Sequence, residues 1–295
     1  MARRRPASIH GLAVVDKPAG VTSHDVVALM RRRLTERRIG HAGTLDPDAT
    51  GVLLVGVGNA TRLLRFLTAL GKTYTASVVL GVETTTLDAA GDVTATHDMR
   101  HVTEAQVRAA VGQHLTGPIM QVPPMVSALK VDGRRLHELA REGIEVERRP
   151  RPVTIHRFDV EPTADPLVYR IDVTCSSGTY VRTLAADLGH LLGGGAHLTD
   201  LRRTACGSFD DSQARSPDDA VLISSAEAMR DYTRVTVPDD VAAVVRNGRV
   251  LPSWDGDGPW AVCDVHGDLL AMYERVNDTT AKPAVVLPPS GTPAD

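Results

Sequence analysis

The stretch Arg38–Leu53 reads RIGHAGTLDPDATGVL and places two carboxylates, Asp46 and Asp48, in a loop rich in glycine. It leads into the apolar run GVLLVGV, which we interpret as a buried strand. Most aspartates in such loops form Asx turns or helix caps, and Asp46 before Pro47 fits that ordinary role. The loop alone therefore leaves open whether either carboxylate takes part in chemistry.

The same loop fits a second pattern, the D-x-D-x-T motif of haloacid-dehalogenase-type phosphatases, in which the first Asp attacks phosphorus. That chemistry requires an apolar strand directly before the first Asp and a downstream acidic motif that binds magnesium. The residues before Asp46 are GHAGTL, which is a poor strand, and the sequence contains no GDxxxD motif. A phosphatase therefore remains only an alternative.

The composition narrows the class of protein. The 295 residues suit one large domain or two smaller ones, and the aromatic fraction of 3% predicts a core of aliphatic side chains. The three cysteines, Cys175, Cys206 and Cys263, form no disulfide or zinc pattern, which favours a reducing compartment. No apolar run reaches the length of a membrane span, and Asp16 and Lys17 interrupt the short apolar stretch near the start. We expect a cytoplasmic protein.

The net charge of −3 is unevenly distributed along the chain. Residues 1–207 carry 26 basic and 21 acidic side chains, whereas residues 208–295 carry 7 and 15. Such asymmetry is found where a polyanion-binding region lies beside an acidic one, but charge alone favours ordinary variation of a solvated surface.

Local patterns predict an α+β fold. Gly11–Asp16 reads as a strand and Ser23 as the N-cap of a helix. Amphipathic helices are predicted at 103–115, with Thr103 as the N-cap, and at 179–192. YTASVVLGVETTT alternates like a strand. Because strands and helices do not alternate as βαβ units, we expect a largely antiparallel mixed sheet.

The polar stretch 208–219 marks a composition shift and predicts a linker that ends near residue 233. We therefore divide the chain into a domain at 1–232, a small β-rich domain at 233–289 and a flexible tail at 290–295.

Several separated segments together resemble one family, the TruB-type tRNA pseudouridine synthases that modify uridine 55 in the T loop. The segments occur in the family's order, and they are DKPAGVTS (16–23), GHAGTLDPDATG (40–51), KTYTA (72–76), VPPMVSALK (122–130), CSSGTYVR (175–182), DLG (187–189), GAH (195–197) and LRR (201–203). The resemblance implies a pseudouridine-synthase catalytic domain at 1–232 and a PUA-like domain at 233–289.

The resemblance implies three catalytic residues. Asp46 resembles the catalytic aspartate, Tyr74 the tyrosine packed on the target base, and Arg182 the arginine paired with the aspartate. His41 resembles the histidine that replaces bases turned out of the T loop. An adjacent guanidinium suits this chemistry, because it lowers the pKa of a buried carboxyl group.

Four further positions are candidate contacts to the substrate RNA. Tyr180 and Leu201 match residues that line the uridine pocket. Lys17 and Lys130 fall in matching segments, and each is either structural or a phosphate contact.

The implied reaction is an isomerisation of uridine to pseudouridine by base flipping, so we expect no cofactor and no metal. The expected partner is the T stem-loop of tRNA, and we expect a monomer. The sequence leaves open whether Asp46 attacks C1′, attacks C6 or removes the 2′ proton. An RNA-binding module or tRNA chaperone without catalysis is the alternative function.

Three positions depart from the family pattern: Asp48, Thr85 and His137, which stands where Tyr is frequent. Asp48 stands where Leu is frequent, and we expect it to point to solvent or to cap a helix, since two buried carboxylates would raise one pKa. Thr85 stands where Asp is frequent, which leaves a polar RNA contact there open. The acidic composition of the C-terminal domain predicts a peripheral role in RNA binding.

Overall fold

A computed structural model describes residues 9–127, 129–131 and 133–288 and leaves out the side chains of Lys130 and His137. The predicted tail at 290–295 lies outside the described residues. In chain order the strands are β1 (Gly11–Lys17), β2 (Ile39–Ala42), β3 (Thr50–Val57), β4 (Lys72–Leu80), β5 (Val82–Thr84), β6 (Val93–Thr96), β7 (Gly117–Gln121), β8 (Lys130–Val131), β9 (Arg134–Arg135), β10 (Arg151–Pro162), β11 (Val168–Cys175), β12 (Ala196–Cys206), β13 (Phe209–Asp210), β14 (Leu222–Ile223), β15 (Thr233–Thr236), β16 (Leu251–Pro252), β17 (Trp260–Cys263), β18 (Leu269–Arg275) and β19 (Thr280–Val286). The helices are α1 (Ser23–Leu34), α2 (Leu64–Ala69), α3 (Glu104–His114), α4 (Leu136–Arg141), α5 (Val181–Leu191), α6 (Ser225–Ala228) and α7 (Asp239–Arg246), and a 3₁₀ turn spans Gly58–Leu63.

The main sheet follows the strand order β14-β1-β3-β12-β4-β11-β10-β7, with β2 on β3 and β13 on β12. Its pairings are antiparallel except for the parallel junction of β3 with β12. The predicted α+β fold with a largely antiparallel mixed sheet is confirmed.

Strand β4 lies inside this sheet and explains the alternation of apolar and polar residues that the sequence shows there. Its side chains alternate between buried and half-buried positions, and Tyr74, Ala76 and Val78 lie on the buried face. Side chains of α1, α3 and α5 complete the same apolar cluster. The period of two therefore reflects one face covered by helices.

The first helix is capped by a different hydroxyl from the predicted one. Thr22 is the N-cap of α1, and its side chain accepts the backbone N–H of Asp25, whose carboxylate in turn accepts the backbone N–H of Thr22. Ser23 is the first helical residue and its hydroxyl bonds to Leu45. The prediction of Ser23 as the cap was wrong because a distant contact occupies its hydroxyl.

The sequence predicted a linker in the segment 208–232, but this segment forms part of the fold. It contains β13, β14 and α6, and β14 pairs with β1 at the edge of the main sheet. Its polar composition reflects solvent exposure of the turns between these short elements.

The remaining strands form a second sheet in the order β15-β17-β18-β19-β16. Apolar side chains of this sheet, of the main sheet and of α2 join in one cluster that includes Leu54, Phe66, Leu269 and Met272. The two sheets therefore share a hydrophobic core. The division at residue 232 and the likeness to a PUA domain stay predictions. No helix in the described ranges is long and apolar enough to cross a membrane.

Candidate active site

Asp46 lies in the loop between β2 and β3. Leu45 and Ala49 beside it are buried, and the backbone N–H of Ala49 donates to the carbonyl of Asp46 across a tight turn. Asp46 is half-buried, whereas Asp48 is exposed. The expectation that Asp48 points to solvent is confirmed, and the loop presents its two carboxylates to different environments.

Arg182 lies in the first turn of α5 and is 5% exposed. Its Nε is 3.1 Å from Oδ2 of Asp46, and its Nη1 is 3.2 Å from Oδ2 of Asp88. Its Nη1 and Nη2 also donate to the carbonyls of Thr86 (2.8 Å) and Val126 (2.9 Å). The fold thus brings Asp46 and Arg182 together from positions far apart in sequence and fixes the guanidinium from three sides.

Electrostatic effects on Asp46 oppose one another. Burial raises the pKa of the Asp46 carboxyl group, and the charge of Arg182 lowers it, while Asp88 raises it further. The net pKa lies above the ordinary value. Because 42% of its side-chain surface stays exposed, Asp46 remains within reach of a substrate.

Tyr74 lies in β4, opposite Val173 of β11 and Arg203 of β12. It is 9% exposed and packs in the same apolar cluster as Leu45 and Ala49. Burial raises the pKa of the phenol, and Arg203 opposes that rise. A phenol in this environment stays protonated at neutral pH. Arg203, which acts on Tyr74, also donates to the carbonyl of Gly43 in the loop that carries Asp46.

His41 lies in β2, with its ring edge-on to that of His24 at a centroid distance of 5.1 Å. Burial lowers its pKa to about 4, with smaller contributions from His24 and Arg203. Its buried Nδ1 has no hydrogen-bond partner in the described chain. His41 is therefore a neutral imidazole with an unused nitrogen at physiological pH.

The two predicted pocket residues lie next to arginines of the site. Tyr180 is half-buried just before α5, and its backbone N–H and carbonyl bond to the amide of Gln121 at 2.8 and 3.0 Å. Leu201 lies in β12 and packs partly buried against the main core. In the sequence, Tyr180 precedes Arg182 of α5 by two positions, and Leu201 precedes Arg203 of β12 by two.

The geometry of Lys17 favours the structural alternative over a phosphate contact. Lys17 is fully buried, and its Nζ donates to the carbonyls of Pro18 (2.9 Å), Val21 (2.6 Å) and Pro47 (2.8 Å). All three of its protons are used within the protein. The side chain of Lys130 lies outside the described residues, so its proposed contact stays a prediction.

Arg203 was not predicted as a site residue, although it is the last residue of the LRR motif (201–203). Arg203 is 1% exposed, and its guanidinium donates to the carbonyls of Val52 (2.7 Å) and Gly43 (3.0 Å). Within the described residues, no carboxylate forms an ion pair with Arg203. This buried positive charge acts on both Tyr74 and His41.

Asp88 is the second missed residue. Its side chain, 22% exposed, pairs with Arg182 and accepts hydrogen bonds from the Thr86 hydroxyl and the Ala90 backbone. The signal in the sequence is weak, because an aspartate in a polar turn is ordinary.

Two family models match consecutive parts of the chain. The model of the TruB family pseudouridylate synthase N-terminal domain matches residues 31–181, and that of the tRNA pseudouridylate synthase B C-terminal domain matches 182–232. A protein of Mycobacterium tuberculosis (strain ATCC 25618 / H37Rv) named tRNA pseudouridine synthase B is 45% identical to this chain, and the alignment covers 94% of this chain and 96% of the relative. A protein of the same name from Mycolicibacterium paratuberculosis is 47% identical, and the alignment covers 95% of this chain and 98% of the relative.

Solved structures agree with the fold. A chain of a Cbf5–Nop10–Gar1 complex matches with a TM-score of 0.72 at 25% identity. The match covers 95% of this chain and 85% of the solved chain. A chain of an H/ACA RNP bound to a substrate RNA has a TM-score of 0.70 at 23% identity, over 95% and 86%. From the matched domains and the close sequence relatives, the chain belongs to the TruB family of pseudouridylate synthases.

Proposed function

We propose that this pseudouridine synthase isomerises uridine 55 in the T loop of tRNA without a cofactor. The observation that carries the proposal is the ion pair of the buried Arg182 with the partly exposed Asp46. The relatives named tRNA pseudouridine synthase B support tRNA as the substrate. Monomeric state and cytoplasmic location stay predictions from the sequence.

The reaction breaks the N1–C1′ bond of uridine, rotates the base and joins C5 to C1′. The proton on C5 is released, and N1 gains one, so no atoms or electrons are supplied from outside. Asp46 acts in its ionised form in each of the three open routes: attack on C1′, attack on C6 or removal of the 2′ proton. Tyr74 offers a face for the base and a hydroxyl group that relays the C5 proton, taking up one proton as it gives up its own.

Arg182 prepares Asp46 for this role. Its charge opposes the effect of burial and so favours the carboxylate over the neutral acid. Its bonds to two backbone carbonyls and to Asp88 fix the guanidinium before substrate binds. Preorganised groups of this kind cost no rearrangement at the moment of reaction.

The target base is stacked inside the folded T loop and has to flip out, at a cost of a few kcal/mol. His41 is suited to offset part of that cost, because a neutral imidazole presents a flat ring that stacks on neighbouring bases. We infer that it occupies the space from which the base leaves.

Release of tritium from a T stem-loop RNA labelled at C5 of uridine tests the proposal. We expect release from the natural loop and none from a loop in which the target uridine is replaced by cytidine. Equal release from both RNAs would refute the assignment to position 55. Tight binding without release would favour the RNA-binding alternative, and magnesium-dependent phosphate release from a phosphate ester would favour the phosphatase.

A further inference from the structure

Ser23 makes a contact that its place in the helix does not explain. It is fully buried in the first turn of α1. Its hydroxyl accepts the backbone N–H of Leu45 at 2.9 Å and donates to the carbonyl of the same residue at 3.1 Å. One side chain therefore holds both polar groups of the residue that directly precedes Asp46.

The residue that follows Asp46 is held from the same segment. The carbonyl of Pro47 accepts Nζ of Lys17 at 2.8 Å and the backbone N–H of Gly20 at 3.0 Å. The segment from Lys17 to Ser23 thus fixes the backbone on both sides of Asp46.

The helix itself does not need the Ser23 hydroxyl. Thr22 caps α1 and forms a reciprocal pair with Asp25. Thr22 is exposed, whereas Ser23 is buried. The Thr22 hydroxyl therefore bonds within the helix, and the Ser23 hydroxyl bonds to the Asp46 loop.

We propose that Ser23 is a positioning residue that holds Asp46 at the distance and angle at which it reacts. The proposal rests on the catalytic role proposed for Asp46. Leu45 is 3% exposed, so water cannot easily replace the lost hydroxyl. Without Ser23 the loop shifts to satisfy the Leu45 peptide groups, and a displacement of about 1 Å costs about 100-fold in rate.

The test compares Ser23→Ala with Thr22→Ala, its matched control on the same turn. The measurements are the single-turnover rate of tritium release, the dissociation constant for the RNA and the midpoint of thermal unfolding. For Ser23→Ala we expect a rate about 10- to 100-fold lower with a dissociation constant within about threefold of the wild type. For Thr22→Ala we expect a lower midpoint from the lost cap and a rate within about threefold.

A second variant covers the case in which Ser23→Ala does not fold. Ser23→Cys keeps a similar volume with weaker hydrogen bonds, and we expect a rate about threefold to tenfold lower at unchanged RNA affinity. Equal rate losses for the Ser23 and Thr22 variants, or a loss confined to RNA affinity, would overturn the proposal.

Asp46→Asn separates this failure from failure of the proposed function. If Asp46→Asn is inactive and the Ser23 variants behave like Thr22→Ala, only the positioning role is refuted. If Asp46→Asn keeps the wild-type rate, the catalytic role fails and the positioning role with it.

Discussion

Arg182 serves two carboxylates, Asp46 and Asp88, with a single positive charge. Burial is the main cause of the raised pKa of Asp46, and the negative charge of Asp88 adds to it while Arg182 opposes both. The carboxylate form is lost as pH falls through this raised pKa. The acid limit of activity therefore reflects a balance among three side chains rather than the property of an isolated aspartate.

His41 makes stability depend on pH. The unfolded chain takes up a proton near pH 6.5, but the folded imidazole resists it until about pH 4. The unfolded state therefore binds more protons between these values, and the wild type loses about 2–3 kcal/mol as pH falls through this window. We expect His41→Gln to remove this loss.

Urea unfolding of the wild type and of His41→Gln at pH 7 and pH 4.5 measures this loss of unfolding free energy. The contributions of the other titrating groups cancel when the two proteins are compared. His114→Gln, at an exposed position on α3, is the control and should follow the wild type. Parallel pH dependence of the wild type and His41→Gln would contradict the account of His41.

At the scale of elements, the parallel junction of β3 with β12 depends on Gly51. Gly51 pairs with Arg203, has a φ of +99°, and a Cβ there would lie 2.2 Å from the Arg203 carbonyl oxygen. We expect Gly51→Ala to lower the free energy of unfolding by at least about 2 kcal/mol, because strain and overlap add.

Gly112→Ala is the matched control. Gly112 lies in α3 with open space around it, so alanine should be neutral or stabilise by up to about 1 kcal/mol. Chemical unfolding of both variants measures the difference. A Gly51→Ala protein as stable as the wild type would show that the junction tolerates a side chain.

Structural features were predictable from the sequence where residues close together along the chain determine them. The alternation in β4 and the cap of α3 by Thr103 were predictable, because neighbours within a few residues determine them. The cap of α1 was not, since choosing between Thr22 and Ser23 requires knowing that Leu45 lies against the helix.

The same holds for the site. The pairing of Asp46 with Arg182 came from the resemblance of short motifs, not from spacing. Asp88 and Arg203 remained unnoticed, because their importance lies in contacts across the fold. A polar turn and a run of two arginines carry no local signal of such contacts.

At the scale of the whole molecule, the second sheet packs on the first through a shared apolar cluster. Polar contacts add to it, since Arg65 pairs with Glu274 and Arg62 donates to the carbonyl of Val286. Both tryptophans of the chain, Trp254 and Trp260, lie within the second sheet's region. Their fluorescence therefore reports on that region alone.

We expect the two sheets to unfold together. Tryptophan fluorescence and far-ultraviolet circular dichroism should give the same urea midpoint, because separation would expose the shared cluster to water. A chain ending at residue 232 should be less stable and prone to aggregate. A tryptophan transition that precedes the loss of circular dichroism would show that the second sheet unfolds independently.

The central claim is that Asp46 carries the chemistry, and tritium release from the labelled T stem-loop by Asp46→Asn tests it most directly. Asp48→Asn is the control, since this exposed carboxylate lies two residues away in the same loop. The account predicts that Asp46→Asn abolishes release while RNA affinity stays within about threefold, and that Asp48→Asn keeps the wild-type rate within about threefold. Release unchanged by Asp46→Asn, or abolished by Asp48→Asn, would contradict it.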